Sequence, residues 1–202
     1  MIEIEKKFRL TPEVEKSLLK TATFLHTFIN HDIYFDNQTY DLTRHGIWFR
    51  KRNEQFELKM PLHQIGQKNV VTQYEELETE DAIRLALKLN PNLSFEEALK
   101  EKKYFSFASY TNTRQRYKDG PFSLDFESCD FGDGDPYRLV EIELIVSEAE
   151  KEQGVQKIIA YAQSKKMELV DINGKLPMYL KRHDPKHYQV LKNAGIVYEE
   201  NA

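Results

Sequence analysis

The chain has 202 residues, enough for one large domain or two small ones with a real core. Its 33 acids against 29 bases leave a net charge of −4 with no strongly basic segment, which argues against a nucleic-acid-binding module. The lone Cys129 excludes an internal disulfide and fits a reducing compartment, and no apolar run approaches the length of a membrane span.

The patterned sequence begins at residue 2 with no signal peptide before it, and no Pro/Gly/Ser linker divides the chain. The expectation is a cytoplasmic, monomeric single domain over residues 1–202, with neither membrane nor nucleic acid as partner. Ile2-Glu3-Ile4-Glu5-Lys6-Lys7-Phe8 alternates apolar and charged residues, so a strand is expected over 2–9. Thr11 followed by Pro12 is an N-cap with proline at the first helical position, and opens a helix to about Leu19. Alternation returns over 24–36, over 46–60, where a turn near Asn53-Glu54 divides two strands, and over 69–77. Thr79 opens a helix that Asn90-Pro91 closes, and Ser94 with Glu97 forms a capping box at the start of another. Strands are expected over 103–117, 121–129 and 136–146.

Ser147 and Glu150 repeat the capping-box pattern and open a long helix through Ile158, Ile159 and Ala162, with Gly154 weakening its start. Asp184-Pro185 opens a last helix that Gly195 can cap. His183 and His187, four residues apart, are read as lying on a surface helix without metal-ligand spacing. Seven or eight mostly antiparallel strands with few long crossovers point to an α+β fold, a barrel or strongly curved sheet with helices outside it or across its ends.

The charges fall on shared strand faces. Glu3, Glu5 and Lys7 point one way, as do Trp48, Arg50 and Arg52; Glu57 and Lys59; Arg114 and Arg116; Asp125 and Glu127; and Glu141 and Glu143. Like-signed neighbours on such a face lie about 6.6–7 Å apart and repel unless a cation sits between them. Each strand alone reads as a solvated face opposite an apolar one. Together they form acid pairs on some strands and base pairs on others, and if they converge inside a barrel the lumen holds an acid cluster beside a base cluster. Hard carboxylate oxygens select Mg²⁺ or Mn²⁺, and Arg and Lys match phosphate oxygens in charge and geometry. No glycine-rich phosphate loop is present, so side chains must hold any phosphate.

Glu3-Ile4-Glu5-Lys6-Lys7 resembles the ExExK signature of the CYTH proteins, the triphosphate tunnel metalloenzymes. Further stretches carry the resemblance, and within the family they are most similar to the animal thiamine triphosphatases: Asp32 to Asp36, Trp48 to Arg52, Glu57-Leu58-Lys59, Thr72 to Leu77, Asp125 to Gly132, Glu141-Ile142-Glu143 and Lys175-Leu176. The resemblance implies an eight-stranded antiparallel β-barrel tunnel with surrounding helices. It places Glu3, Glu5, Asp125, Glu141 and Glu143 on the metal-binding acids, and Lys7, Arg50, Arg52, Lys59, Arg114 and Lys175 on the bases that hold the triphosphate. Arg116 and Glu127 have no clear counterpart in the pattern. The parity of Trp48 with Arg50 and Arg52 turns it toward the lumen, where it either stacks on a cationic ring or packs the wall. Tyr34 is open to the same two readings, and Cys129 reads as a packed thiol.

The implied activity is Mg²⁺-dependent hydrolysis of a triphosphate, thiamine triphosphate first. Glu3 or Glu5 would polarise a water, and Lys59 or Arg52 would offset the developing charge. Hydrolysis of inorganic tripolyphosphate, adenylate cyclase chemistry on the same fold, and non-catalytic polyphosphate binding remain as alternatives.

Overall fold

The computed structural model describes residues 2–62 and 74–198, and only the backbone of Ile2, Glu3 and Glu148. In strand β1 (Ile2–Arg9), Ile4 and Phe8 bury one face, as the alternation requires. Seven further strands follow: β2 (Thr23–Asp36), β3 (Trp48–Arg52), β4 (Gln55–Pro61), β5 (Tyr74–Leu77), β6 (Phe105–Asp119), β7 (Phe122–Asp130) and β8 (Tyr137–Val146). They form one antiparallel sheet in the order β1-β8-β7-β6-β2-β3-β4-β5. The strand expected over 69–77 is described from Tyr74, and its first part lies outside the described residues. No ladder joins the edge strands β1 and β5 among the described residues. The charges of Lys7 and Glu5 on β1 nevertheless act on Tyr74 of β5, so the sheet curls back toward itself as a half-barrel.

The convex face is sealed by helices. Helix α1 (Pro12–Leu18), capped by the Thr11 hydroxyl, and helix α4 (Lys151–Ser164) bury Val14, Leu18, Ile158 and Ala162 against Ile4, Phe8, Leu124, Ile142 and Val146. Helices α2 (Glu80–Leu87) and α3 (Phe95–Glu101) cover Phe49 and Leu58 of β3 and β4, and the expected Ser94–Glu97 capping box is present. Of the Ser147–Glu150 box only the reach-back half forms: the Ser147 N–H and hydroxyl both donate to Glu150 Oε2 (3.3 and 2.6 Å), the Glu150 N–H bonds Ser147 O, and the segment is a 3-10 turn over Glu148–Glu150 before α4 begins at Lys151.

Gly154 is explained by packing. A Cβ there would lie 2.7 Å from Ile4 Cδ1 and 3.1 Å from Val146 Cγ1, so glycine lets α4 approach the sheet. Gly154→Ala is expected to destabilise the protein by about 1–3 kcal/mol in a denaturant titration, although alanine is the better helix former.

Two helices close one end of the concave face. Leu176, Met178 and Leu180 of α5 (Lys175–His183) and Leu191 of α6 (Pro185–Asn193) pack on Tyr34, Ala108, Tyr110 and Cys129. α5 was not expected from the sequence; Pro177 falls in its first turn, where proline is tolerated. Asp184 ends α5 and its carboxylate caps α6 through the His187 N–H (3.0 Å). Gly195 closes α6 in the left-handed conformation, its N–H bonded to Lys192 O and that of Ile196 to Leu191 O.

The surface reading of the two histidines is corrected. They lie on different helices, and His187 is fully buried between the rings of Tyr40 and Phe107. Its Nε2 lies 2.7 Å from the Thr43 hydroxyl, which is 2.7 Å from Asp36 Oδ2. A carboxylate can only accept, so Thr43 donates to Asp36 and receives the proton of His187 Nε2. Burial lowers the His187 pKa, and the ring stays neutral.

Candidate active site

Register decides which charges meet. Directly opposed residues in an antiparallel pair share a face. β1 sets Glu5 opposite Glu143 and Lys7 opposite Glu141 on β8. β8 sets Glu141 opposite Asp125, and β7 sets Asp125 opposite Arg116 and Glu127 opposite Arg114 on β6. On the other side of the half-barrel, Arg52 faces Asp32, Arg50 faces Tyr34 and Glu57, and Lys59 faces Trp48 and Glu76. Every charged pair read from the sequence, the side chain of Glu3 aside, therefore belongs to the concave face. The apolar alternates of these strands are under the helices.

Lys175, the first residue of α5, completes this face from the closed end. Its Nζ is 3.0 Å from Glu127 Oε1 and 3.1 Å from Glu141 Oε1. Arg114 donates to Glu127 (2.7 Å), Asp125 (2.8 Å) and Glu141 (3.1 Å). Arg116 grips both oxygens of Asp125 (2.6 and 2.5 Å) and reaches Glu143 (3.1 Å). Lys7 pairs with Glu5 and lies 3.7 Å from Glu141. Glu5, Lys7, Arg114, Asp125, Glu141, Glu143 and Lys175 are thus one connected network.

Arg50 and Arg52 form a second group. Arg50 holds Glu57 (2.7 Å) and Arg52 grips both oxygens of the fully buried Asp32 (2.7 and 2.8 Å). Lys59 pairs with Glu76 (2.5 Å), and its charge is felt by Glu5. Trp48 donates its indole N–H to Tyr74 (3.1 Å) while its ring packs against the apolar cluster of the closed end. Tyr34 bonds Arg50 (3.3 Å) and Tyr110 (3.2 Å).

Arg116 and Glu127, which had no counterpart in the sequence pattern, sit inside the network. Glu127 is 1% exposed and accepts from Asn112, Arg114 and Lys175. Asp32 was the residue missed as a site acid; its parity with Tyr34 was the available signal. Glu3 lies in β1, but its side chain is outside the described residues. Burial pushes the Cys129 thiol up to about 12, which keeps it a packed thiol.

The electrostatics are those of a balanced ionic lattice. Burial works against ionising Glu141, but Lys175, Lys7 and Arg114 hold it well below the ordinary carboxylate range. Glu5 is lowered too, burial opposing and Lys7 outweighing it, and so is Asp32, through Arg52 and Arg50. Lys7 and Lys175 are raised: burial disfavours their charge, and Glu5, Glu127 and Glu141 more than compensate.

The consequence for stability has a definite sign. The depressed carboxylates stabilise the fold fully above their unfolded values, 4.5 for Glu and 3.8 for Asp, and this is lost as pH falls through their native ones. In EDTA, the melting temperature is expected to hold from about pH 8 to about pH 5 and to fall steeply below about pH 4.

Two carboxylate groups could hold a cation. Oxygens of Glu5, Glu141 and Glu143 lie within 4.8 Å of one another, as do those of Asp125, Glu127 and Glu141. Acids of both groups face bases, but in the second Asp125 and Glu127 are fully buried and each is held by two of them, whereas Glu5 of the first is part-exposed beside Lys7. The first group is the better fit, and its all-oxygen donor set suits Mg²⁺ or Mn²⁺.

The chain matches the family model of the CYTH domain over residues 1–171. Solved structures share the fold. A protein of Pyrococcus horikoshii OT3 is 18% identical, with TM-score 0.61 over 90% of this chain and 99% of that one. A candidate adenylyl cyclase of Hippeastrum with a dominant triphosphatase activity is 20% identical, with TM-score 0.56 over 89% and 96%. A candidate adenylate cyclase of Vibrio parahaemolyticus is 15% identical, with TM-score 0.55 over 90% and 98%. No curated protein matches the chain in sequence.

Proposed function

This chain belongs to the CYTH domain family, and on that premise we propose that it is a divalent-metal-dependent triphosphatase whose preferred substrate is thiamine triphosphate, cleaved to thiamine diphosphate and phosphate. The observation that carries the reading is the interleaving of Glu5, Glu141 and Glu143 with Lys7, Arg114 and Lys175 on one concave face. Pure anion binding needs only the bases; the acids serve a cation. The triphosphatase activity of the Hippeastrum relative supports the same class of chemistry.

In this mechanism Lys7, Arg50, Arg52, Lys59, Arg114 and Lys175 hold the phosphate chain, exchanging carboxylate partners for phosphate oxygens. Glu5, Glu141 and Glu143 would hold Mg²⁺ or Mn²⁺, with Asp125 behind them, and Glu3 keeps its sequence-based assignment to the metal. When bound, the ion supplies positive charge at the phosphate oxygens and acidifies water. Glu5, ionised at neutral pH, accepts the proton of the attacking water. Oxygen bonds to the terminal phosphorus as the bridging P–O bond breaks, and the diphosphate departs. Lys59 and Arg52 offset the charge that develops. Trp48, on the face of Arg50 and half-buried, receives the cationic ring of the substrate.

A phosphate-release assay on thiamine triphosphate, tripolyphosphate and ATP tests this reading. Expected are one phosphate per thiamine triphosphate with Mg²⁺, none with EDTA, and a higher kcat/KM than for the other two. Trp48→Ala should raise KM for thiamine triphosphate about tenfold and leave that for tripolyphosphate unchanged. Tight tripolyphosphate binding without hydrolysis under any divalent ion would make the protein a binding module instead.

A further inference from the structure

We propose that the open end of the concave face is a second ring subsite, where Phe28 and His26 take the uncharged heteroaromatic ring of a phosphate ester whose phosphates lie on Arg114 and Arg116. Register places the two rings. β6 sets Phe28 of β2 opposite Arg114 and His26 opposite Arg116. Opposed residues share a face, so both rings belong to the concave side. Across the sheet His26 falls in one row with Arg116, Asp125, Glu141 and Lys7, and Phe28 in one row with Arg114 and Glu127. The rings therefore adjoin the ion lattice on its arginine side. β2 bulges at Leu25, so the concave run stops at His26, and Phe24 packs on Tyr117 of the convex side (5.3 Å).

Polarity along this face is the reverse of what water selects. Its inner part is charged and buried: none of Asp32, Asp125 and Glu141 is more than 3% exposed. Its open end is apolar and exposed. Phe28 is 43% exposed, and Ile145, two residues beyond Glu143 on the same face of β8, is 63% exposed. Among the described residues β3 flanks β2 only over Asp32–Phe35. The β3–β4 turn reaches no further than Ile29 O (3.3 Å) and Asn30 Oδ1 (3.2 Å), both bonded by Asn53 Nδ2. Phe28 is thus the first concave residue of β2 beyond that cover. A buried charged floor ending in an exposed apolar rim fits a ligand that is anionic at one end and apolar at the other.

The neighbours decide the chemistry of the ring. His26 and Phe28 already pack edge-to-face (4.3 Å), which fixes their orientation. With Arg114 and Arg116 opposite them, a cationic ring is repelled, whereas an uncharged one stacks on Phe28 and shares a hydrogen bond with the His26 imidazole. Trp48, which receives the cationic ring in the proposed reaction, packs with the apolar cluster of the closed end, on the far side of the lattice. The two subsites differ in place and in the charge they accept, and the second needs no turnover.

Calorimetric binding with Mg²⁺ tests the proposal, using β,γ-methylene-ATP as the probe and the bis-methylene analogue of tripolyphosphate as the ring-free control, both resistant to hydrolysis. Phe28→Ala should weaken the nucleotide about 5–100-fold, leave the ring-free analogue within about twofold, and change the melting temperature little. Phe28→Trp should restore nucleotide binding. Adenine protons should show nuclear Overhauser contacts to the Phe28 ring. Equal weakening of both ligands by Phe28→Ala, or of neither, overturns the ring subsite, and a ring-free analogue that still binds then leaves the proposed reaction standing. Nucleotide binding that depends on Trp48 and not on Phe28 places the ring at the closed end and overturns it as well. A chain that binds neither analogue overturns it together with the phosphate-holding role of the bases.

Discussion

Glu141→Gln is expected to lower kcat/KM for triphosphate hydrolysis by about 10²–10³-fold while the fold survives. Glu141 is the residue shared by both carboxylate groups, and it faces Lys7, Arg114 and Lys175 at once. Glutamine keeps the size and hydrogen-bonding capacity but removes the charge that holds a cation. The loss should fall on kcat, with a rise in the Mg²⁺ concentration needed for half-maximal rate. KM for tripolyphosphate should stay level or fall, because three bases then face one fewer acid. Glu143→Gln is the internal comparison: Glu143 belongs to one group only and its named partner is Arg116, so its effect should be smaller. A Glu141→Gln enzyme within threefold of wild type would end the metal assignment.

The faces of the strands were legible in the sequence because each strand has two different neighbours. Helices seal the convex side with Ile4, Phe8, Leu124 and Ile142, and the ion lattice fills the concave side. Period-two alternation survives in that arrangement, so Glu5, Lys7, Arg114, Asp125, Glu141 and Glu143 could be placed on faces residue by residue. What could not be read was register and closure. Which acid lies opposite which base depends on the pairing of strands far apart in sequence, such as β1 with β8, and neither pattern nor propensity encodes it.

The same limit hid Asp32 and left Glu127 without a role: both are defined by partners on other strands, Arg52 and Arg114. Local signals failed where tertiary packing outweighed them. α5 starts without a side-chain cap to announce it, the Ser147 signal ended in a single 3-10 turn, and His187 was drawn into the interior by Thr43 and two aromatic rings.

Lys175→Met should show how much of the site's stability is electrostatic. Methionine keeps the apolar stem that α5 buries but removes the charge between Glu127 and Glu141. Those carboxylates are 1% and 3% exposed, and removing one partner of a buried ionic cluster costs about 3–5 kcal/mol. For a chain of this size that lowers the melting temperature by about 10 °C. The deficit should be reversible by chemistry that supplies the missing charge. Without Lys175 the native pKa of Glu141 rises toward its unfolded value of 4.5, so the gap to wild type holds from pH 7 to about pH 5 and narrows as pH falls below about 4.5. Mg²⁺ should stabilise the variant more than the wild type, since it binds the folded state where two acids have lost one of their cationic partners and keep Arg114. Equal Mg²⁺ shifts in the two proteins would show that the acids around Lys175 are structural ballast for the lattice and not a place where a cation enters. A larger shift in the variant would mean that Lys175 and the metal compete for the same carboxylates, so that releasing Lys175 onto a phosphate chain is what makes room for the ion.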